Sequence, residues 1–236
     1  MAIPTVEATQ ITNVTSNATT TGAITLTLGT ISPGDIIFVF CAIDGTAATP
    51  TGSGNNSGAM TAVSVGGNPD EGTVETECLY AMQGATVDTT ITVNWTGSEQ
   101  GRFMYVRVAG GHPSAPIDVI GTNLTGAGTT ATPVSSASTA IDTLFMSCVA
   151  VDRDVVNAAD TVSGTGWVEV GTSGASGGAN GAGLIVAELD QASVGTPANA
   201  VFGTWASDGR AAYTFNIREF IAPAAGFAHS YGTVFG

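Results

Sequence analysis

A stretch of eleven residues near the start of the chain returns in its second half, and this echo limits the folds open to the chain more than any other feature. GDIIFVFCAID, residues 34–44, is answered by DTLFMSCVAVD, residues 142–152. The matched pairs, at a constant offset of 107 residues, are Asp35 with Asp142, Phe38 with Phe145, and Cys41 with Cys148.

The echo continues further along the chain. Gly101, Arg102 and Tyr105 of GRFMYVRV are answered at an offset of 108 by Gly209, Arg210 and Tyr213 of GRAAYTFNI, and Trp95 is answered by Trp205. Self-similarity at a fixed distance indicates repeated structural units. The sequence therefore predicts an internal duplication, with halves at about 22–110 and 122–220.

The local patterns are those of β-strands. Ile24, Leu26 and Leu28 alternate with threonines, and the run from Asp35 to Ile43 is apolar almost throughout, which is typical of a strand covered on both faces. No segment of ten or more residues shows a helical period. We predict short strands near 24–28, 35–43, 60–65, 77–82, 89–95 and 103–108, and near 132–135, 144–151, 167–171, 184–189, 200–204 and 212–218. The long stretch 45–58 has turn chemistry only.

These strands predict an all-β, antiparallel, jelly-roll-like sandwich in which the two halves interleave. Two separate small sandwiches are the alternative, but they would leave exposed edges that one merged core removes. Residues 1–21 are predicted to be an N-terminal arm and 221–236 a C-terminal docking arm, because the tail is uncharged apart from His229 and carries exposed aromatics. The predicted partner-docking residues are Ile3, Val6, Phe227, Tyr231 and Phe235.

The charge balance narrows the function classes. Only 10% of the residues are charged, none is lysine, and five arginines face nineteen acids to give a net charge of −14. Nucleic acids and anionic membranes are therefore unsuitable partners.

The opening MAIPTVEATQ lacks a signal-peptide pattern, and no span is apolar enough to cross a membrane, so we expect assembly inside a cell. The three cysteines fit that compartment and are interpreted as buried thiols rather than reactive ones.

The residues that could carry chemistry favour a protein that is not an enzyme, with no cofactor and no metal. Ser114, His112 and Asp118 could be written as a catalytic arrangement, but no nucleophile-elbow pattern surrounds any serine. The acids cluster in two runs that lack EF-hand spacing, so we interpret them as solvated loop charges rather than calcium ligands. These acids are Asp70, Glu71, Glu75 and Glu77, and Asp152, Asp154 and Asp160.

The three tryptophans allow two interpretations, a sugar-binding platform or residues of the core. Aromatic faces bind sugars well, so Trp95, Trp167 and Trp205 could form a platform for a glycan. Trp95 and Trp205, however, end matching strands of the two halves. We therefore interpret these two as equivalent corners of the core.

Taken together, the pattern resembles a β-sandwich domain common in virion proteins of tailed phages. The resemblance covers about Thr21 to Phe220 and is carried by GDIIFVF, TITVNWTG, GGHPSAPIDVIGT, GTGWVEVG and WASDGRAAYTFNI. It implies a structural protein of the virion, assembled in the host cytoplasm. The leading expectation is a capsid decoration (cement) protein that bridges capsid subunits.

The resemblance also implies partners and competing roles. The expected partners are the major capsid protein or other virion subunits, and copies of the chain itself in a homo-oligomer such as a trimer. The alternative is a tail-fibre or receptor-binding module for a host surface glycan, which would use the loops 45–58 and 171–183. A third class, an enzyme that cleaves host polysaccharide, would need paired acids in a cleft.

Overall fold

The computed structural model of the chain describes residues 3–14, 21–45, 49–63, 74–96, 101–152, 162–173, 182–203 and 209–219. Its regular structure is β throughout these residues, which confirms the predicted all-β class. They contain no helix that could span a membrane. The strands are β1 (Thr5–Val14), β2 (Thr21–Thr27), β3 (Ile36–Asp44), β4 (Thr51–Gly54), β5 (Gly58–Ala59), β6 (Thr61–Ala62), β7 (Val74–Met82), β8 (Thr90–Thr96), β9 (Gly101–Ala109), β10 (Ile117–Ile120), β11 (Leu124–Thr125), β12 (Thr143–Asp152), β13 (Val162–Ser163), β14 (Val168–Ser173), β15 (Ala182–Gln191), β16 (Val201–Phe202) and β17 (Arg210–Ile217).

The strands form four antiparallel sheets. The first inner sheet has the order β1-β9-β3-β7-β6 and the first outer sheet β2-β8-β4-β5. The second inner sheet has the order β10-β17-β12-β15-β14, with β11 also paired to β17, and the second outer sheet is β13-β16. Interleaving of the halves in one jelly roll is not confirmed. Among the described residues, no sheet combines strands that precede Gly110 with strands that follow it.

The four sheets stack in layers around three apolar cores. Val39 and Ile91 belong to the core between the first outer and first inner sheets, and Phe145 and Phe202 to the core of the second half. Between the two inner sheets lies a central core, in which the ring centroids of Phe38 and Phe215 are 5.5 Å apart. Both inner sheets are therefore buried on both faces, which confirms that prediction for the apolar run that became β3.

The two inner sheets have the same strand order, but the residue matches read from the sequence are off by one. Ile36 pairs with Met82 in the first sheet, and Leu144 pairs with Asp190 in the second, so both partners are shifted by 108 residues. The prediction that Phe38 matches Phe145 at an offset of 107 is wrong. Phe38 lies in the central core and Phe145 in the second outer core, because a slip of one residue reverses the face of a strand.

The same slip separates the other predicted pairs. Cys41 faces the outer core of the first half, whereas Cys148 faces the central core. Tyr105 and Tyr213 divide in the same way between those two cores. Identical residues at a nearly constant spacing therefore point to similar strands without fixing which face each side chain occupies.

The inner sheets are stacked so that their edges differ on the two sides. On one side β1, ten residues long, contacts β14, six residues long; we call this the closed side. On the other side the edge strands are β6, with two residues, and β10, with four; we call this the open side. A groove remains between the short edges of the open side.

Three stretches differ from the sequence-based expectation. Within the predicted N-terminal arm, β1 pairs with β9 and is an edge strand of the first inner sheet. Within 45–58, the turn-rich stretch, β4 and β5 form a hairpin. The predicted strand 132–135 is reduced to isolated bridges from Ala131 and Val134, because Pro133 between them has no amide hydrogen to donate to a ladder.

Candidate functional site

Both ends of the described chain lie at one end of the stacked sheets. Thr5 pairs with Ala109, and Glu219 pairs with Gly111 in an isolated antiparallel β-bridge. The amide of His112 donates to the carbonyl of Arg218 at 2.9 Å, which fixes the last described residues to the connection between the halves. We call this end of the molecule the exit pole.

The opposite end is where the inner-sheet strands meet the segments outside the described residues. Val14 pairs with Gly101, Asp44 with Val74, and Asp152 with Ala182 at this end, which we call the loop pole. The adjoining segments are 15–20, 46–48, 64–73, 97–100, 153–161, 174–181 and 204–208. These segments lie outside the described residues, and their sequences contain Asp70, Glu71, Glu99, Asp154, Asp160 and Asp208 against Arg153.

The predicted docking residues fall into two groups. Ile3 and Val6 are half-buried and pack against the central core, so they contribute to the chain's own fold. Phe227, Tyr231 and Phe235 lie outside the described residues. The last described residue before them, Glu219, lies at the exit pole.

The open side contains a groove that the sequence did not predict. Two hollows of about 330 and 350 Å³ lie next to each other and share Thr61 and Tyr80. We call the combined feature the open-side groove. Tyr80, Met82, Ile117 and Ile120 line it while packing against the central core, whereas the hollow beside Ser57 and Ser114 is lined mainly by polar atoms.

Strand β10, one wall of this groove, is held by side chains more than by a regular ladder. The carboxylate of Asp118 accepts a hydrogen bond from the amide of Thr139 at 2.7 Å. It also forms an ion pair with Arg218, whose Nε lies 3.2 Å away. The Asn216 side chain bonds both Asp118 and the amide of Val119. Burial by itself would raise the pKa of Asp118, but these hydrogen bonds and the arginine charge outweigh it and lower the pKa.

A second buried carboxylate fixes the other end of the groove. Asp88 accepts hydrogen bonds from the amides of Asn56 and Ser57, at 2.6 and 2.9 Å, and from the side chain of Gln83 at 2.9 Å. Burial would raise its pKa, yet the bonds from Ser57, Gln83 and Asn56 together lower it. The β4-β5 turn is therefore rigidly attached beside the groove, because a single carboxylate satisfies several donors.

The residues considered for catalysis do not assemble. His112 Nδ1 accepts hydrogen bonds from the amides of Ser114 and Ala115, at 3.3 and 3.2 Å. Asp118 is engaged by Thr139, Asn216 and Arg218 instead of the imidazole. No group of three or more His, Cys, Asp or Glu side chains within the described residues could hold a metal ion.

Two of the acids expected in solvent are buried. Glu75 is 3% exposed and Glu77 2%, so their interpretation as solvated loop charges is wrong. The reason is that β7 begins at Val74 and is covered on both faces as part of an inner sheet. Glu77 Oε1 accepts a hydrogen bond from the amide of Cys78 at 2.8 Å. Asp152 is half-buried at the end of β12, and the other predicted acids lie outside the described residues.

The three cysteines are free and buried, as the sequence predicts. Burial raises the pKa of the Cys148 thiol to about 12 and raises those of Cys41 and Cys78 well above their ordinary value. Thr76 Oγ1 lies 3.8 Å from Cys148 Sγ across the central core. Because the thiolate is the nucleophile, these protonated thiols act as packing groups.

The outer face of the first outer sheet is rich in hydroxyl groups and carries no charge. Thr25 is exposed and Thr92 half-buried on neighbouring strands, with their Oγ1 atoms 3.3 Å apart. A hollow of about 420 Å³ at one end of this sheet is lined by Thr51, Asn94 and the edge of Trp95.

The described tryptophans are core residues. Trp95 is 2% exposed and Trp167 7%, and the Trp167 indole donates to the Ala198 carbonyl at 2.7 Å. Gly22 covers the ring of Trp95 so closely that a Cβ there would lie 1.9 Å from Trp95 Cε2. Neither ring therefore offers an open face to a sugar, and Trp205 lies outside the described residues.

Comparison of the chain with protein-family models, with curated proteins and with solved structures finds no significant match. The site must therefore be interpreted from its own geometry. The features that could serve a partner are the exit pole, the open-side groove and the hydroxyl-rich outer face.

Proposed function

We propose that the chain is a structural protein of a tailed-phage virion, without enzymatic activity, and that it decorates the capsid and stabilises it by bridging capsid subunits. The observation that carries this proposal is the location of both described chain ends at the exit pole. Thr5 and Glu219 lie on either side of the Gly110–Gly111 connection. A subunit anchored by this pole would turn its loop pole away from the capsid.

The electrostatics support a surface role. A chain without lysine and with a net charge of −14 is repelled by packaged nucleic acid and by anionic membranes. A coat of such subunits remains soluble and does not adhere to the host envelope. Contacts with neighbouring subunits of the particle would then be made by the uncharged C-terminal arm, whose aromatics Phe227, Tyr231 and Phe235 supply apolar area.

The test of this proposal uses particles that carry the protein. Removing it with a mild chaotrope should lower the temperature at which heads release their nucleic acid, and adding the purified chain should restore that temperature. Cryo-electron microscopy should show many copies spread over the head, each with its exit pole on the shell. The proposal fails if stripped and restored particles release nucleic acid at the same temperature.

The second candidate is a receptor-binding module of the tail that recognises a host glycan. It is favoured by the uncharged array of Thr25, Thr92 and their neighbours and by the hollow beside Asn94, since hydroxyl and amide groups suit sugar hydroxyls. The buried state of Trp95 and Trp167 counts against it, because no described indole is open for stacking. A few copies at the tail tip, together with binding on a glycan array, would favour this role.

A further inference from the structure

The open-side groove lies between two strands that end their sheets. Within the described residues, β6 is the last strand of the first inner sheet and β10 the last of the second. The short edge strand β6 can accept a further strand, and Tyr80 and Ile120 offer apolar area to its alternate side chains. On β10 the amide of Val119 and the carbonyl of Ile120 are already bonded to Asn216 and Ser136. The groove thus has the chemistry of a site for an extended, uncharged, aromatic segment.

One segment of the chain has that composition. Residues 220–236 contain four aromatics and, apart from His229, no Asp, Glu, Lys or Arg side chain. The described chain ends beside the groove, because the amide of Arg218 donates to the carbonyl of Pro116, a residue of the groove wall, at 2.8 Å. Its 17 residues can span at most roughly 55 to 60 Å when extended, enough to reach a neighbouring subunit.

The strand directions decide between the chain's own segment and that of another copy. Both β6 and β10 run from the exit pole toward the loop pole, since β6 pairs antiparallel with β7 and β10 with β17. The chain's own segment leaves at the exit pole and would enter the groove parallel to both strands. A segment from a second copy can enter from the other end and run antiparallel to β6, which is the more stable pairing.

We infer that the open-side groove binds the C-terminal segment, residues 220–236, of a second copy of this chain. Exchange of segments between two copies gives a closed, symmetric contact, and exchange around a ring gives a larger closed oligomer. Two copies that each carry a charge of −14 repel one another, so a contact between an uncharged segment and the apolar part of the groove suits them. The groove's one acid, Asp118, is already paired with Arg218.

This inference rests on the proposed function in one respect, which is that copies of the protein lie next to one another. Its test therefore uses the purified full chain alone, by sedimentation across about 1 to 100 μM. The wild type should associate as concentration rises. Thr61→Lys, which places a charge in the groove, should weaken association at least about tenfold, whereas Thr92→Lys on the outer face should not.

Mixing two variants separates exchange from other modes of association. A variant with Phe227→Ser, Tyr231→Ser and Phe235→Ser keeps the groove, and Thr61→Lys keeps the segment. Each alone should remain monomeric, while the mixture should form a dimer with one intact contact.

A monomeric wild type, or oligomers that both variants leave unchanged, would overturn the inference. Loss of head stabilisation in particles, with self-association intact, would instead count against the decoration role alone.

Discussion

The two sides of the inner-sheet stack are built from corresponding strands but end differently. On the closed side β1 and β14 contact each other, with Val6 and Val170 packed against the central core. On the open side the corresponding edges are β6 and β10, which together have six residues, and a groove lies between them. The difference follows from strand length, since each half contributes one longer and one shorter edge strand.

This comparison shows how one stack can be both a stable core and a binding surface. The two sheets are stacked so that β1 lies beside β14 and β6 beside β10. The two longer edge strands therefore meet on the closed side, and the two shorter ones meet on the open side. The closed side protects its backbone groups with its own strands. On the open side β6 is exposed, while the Val119 amide and the Ile120 carbonyl of β10 are bonded to Asn216 and Ser136. The Asp118 and Asp88 networks hold the ends of the groove.

The largest effect is expected where both sides share one core. Phe215→Ala removes the ring that lies 5.5 Å from Phe38 across the inner sheets, and should lower the free energy of unfolding by about 3–5 kcal/mol. Because this core joins the halves, urea unfolding followed by circular dichroism and by tryptophan fluorescence should show one transition. Two separated transitions would break the comparison by showing that the sheets unfold independently.

A charge placed on the closed side should destabilise the fold. Val6→Asp puts a carboxylate against the central core and should cost about 2 kcal/mol in the free energy of unfolding. Thr5→Asp, at the exposed neighbouring position on the same strand, is the matched control and should change stability little. Equal effects at the two positions would mean that the closed side is not packed as described.

The open side should depend on pH through its carboxylate network. Asp118→Asn removes the charge that Arg218 and Thr139 stabilise, and should cost about 1–2 kcal/mol at neutral pH. The pKa of Asp118 is lowered in the folded state, so its contribution is full above the ordinary value near 4 and is lost as pH falls through the folded value. The difference in unfolding free energy between wild type and variant should therefore shrink below about pH 4 in urea titrations.

The smallest effect on stability is expected at the groove wall. Thr61 is exposed, so Thr61→Lys should change the free energy of unfolding by less than about 0.5 kcal/mol while it blocks the groove. Chemical denaturation of this variant beside Thr92→Lys measures that change. A large loss of stability would show that β6 supports the core, and would remove the contrast between the two sides.

The sequence predicts the sheets better than it predicts the groove. Continuous apolar runs identify β3 and β12 as double-covered strands, because a strand buried on both faces has no polar alternation. Register is missed by one residue, since the echo matches residue identity while the pleat fixes the face. β1 is missed because its threonine-rich pattern is weak, and the groove because it arises from strands of two and four residues whose packing is set by distant parts of the chain.

The most direct test of the central claim is amide hydrogen exchange in the full chain at a concentration where it associates. Wild type is compared with the variant in which Phe227, Tyr231 and Phe235 are replaced by serine. If residues 220–236 of a second copy occupy the groove, amides in β6 and β10 should exchange more slowly in the wild type. Those in β1 and β14 should exchange at the same rate in the two proteins. Equal exchange in β6 and β10, or a change confined to the closed side, would contradict the central claim.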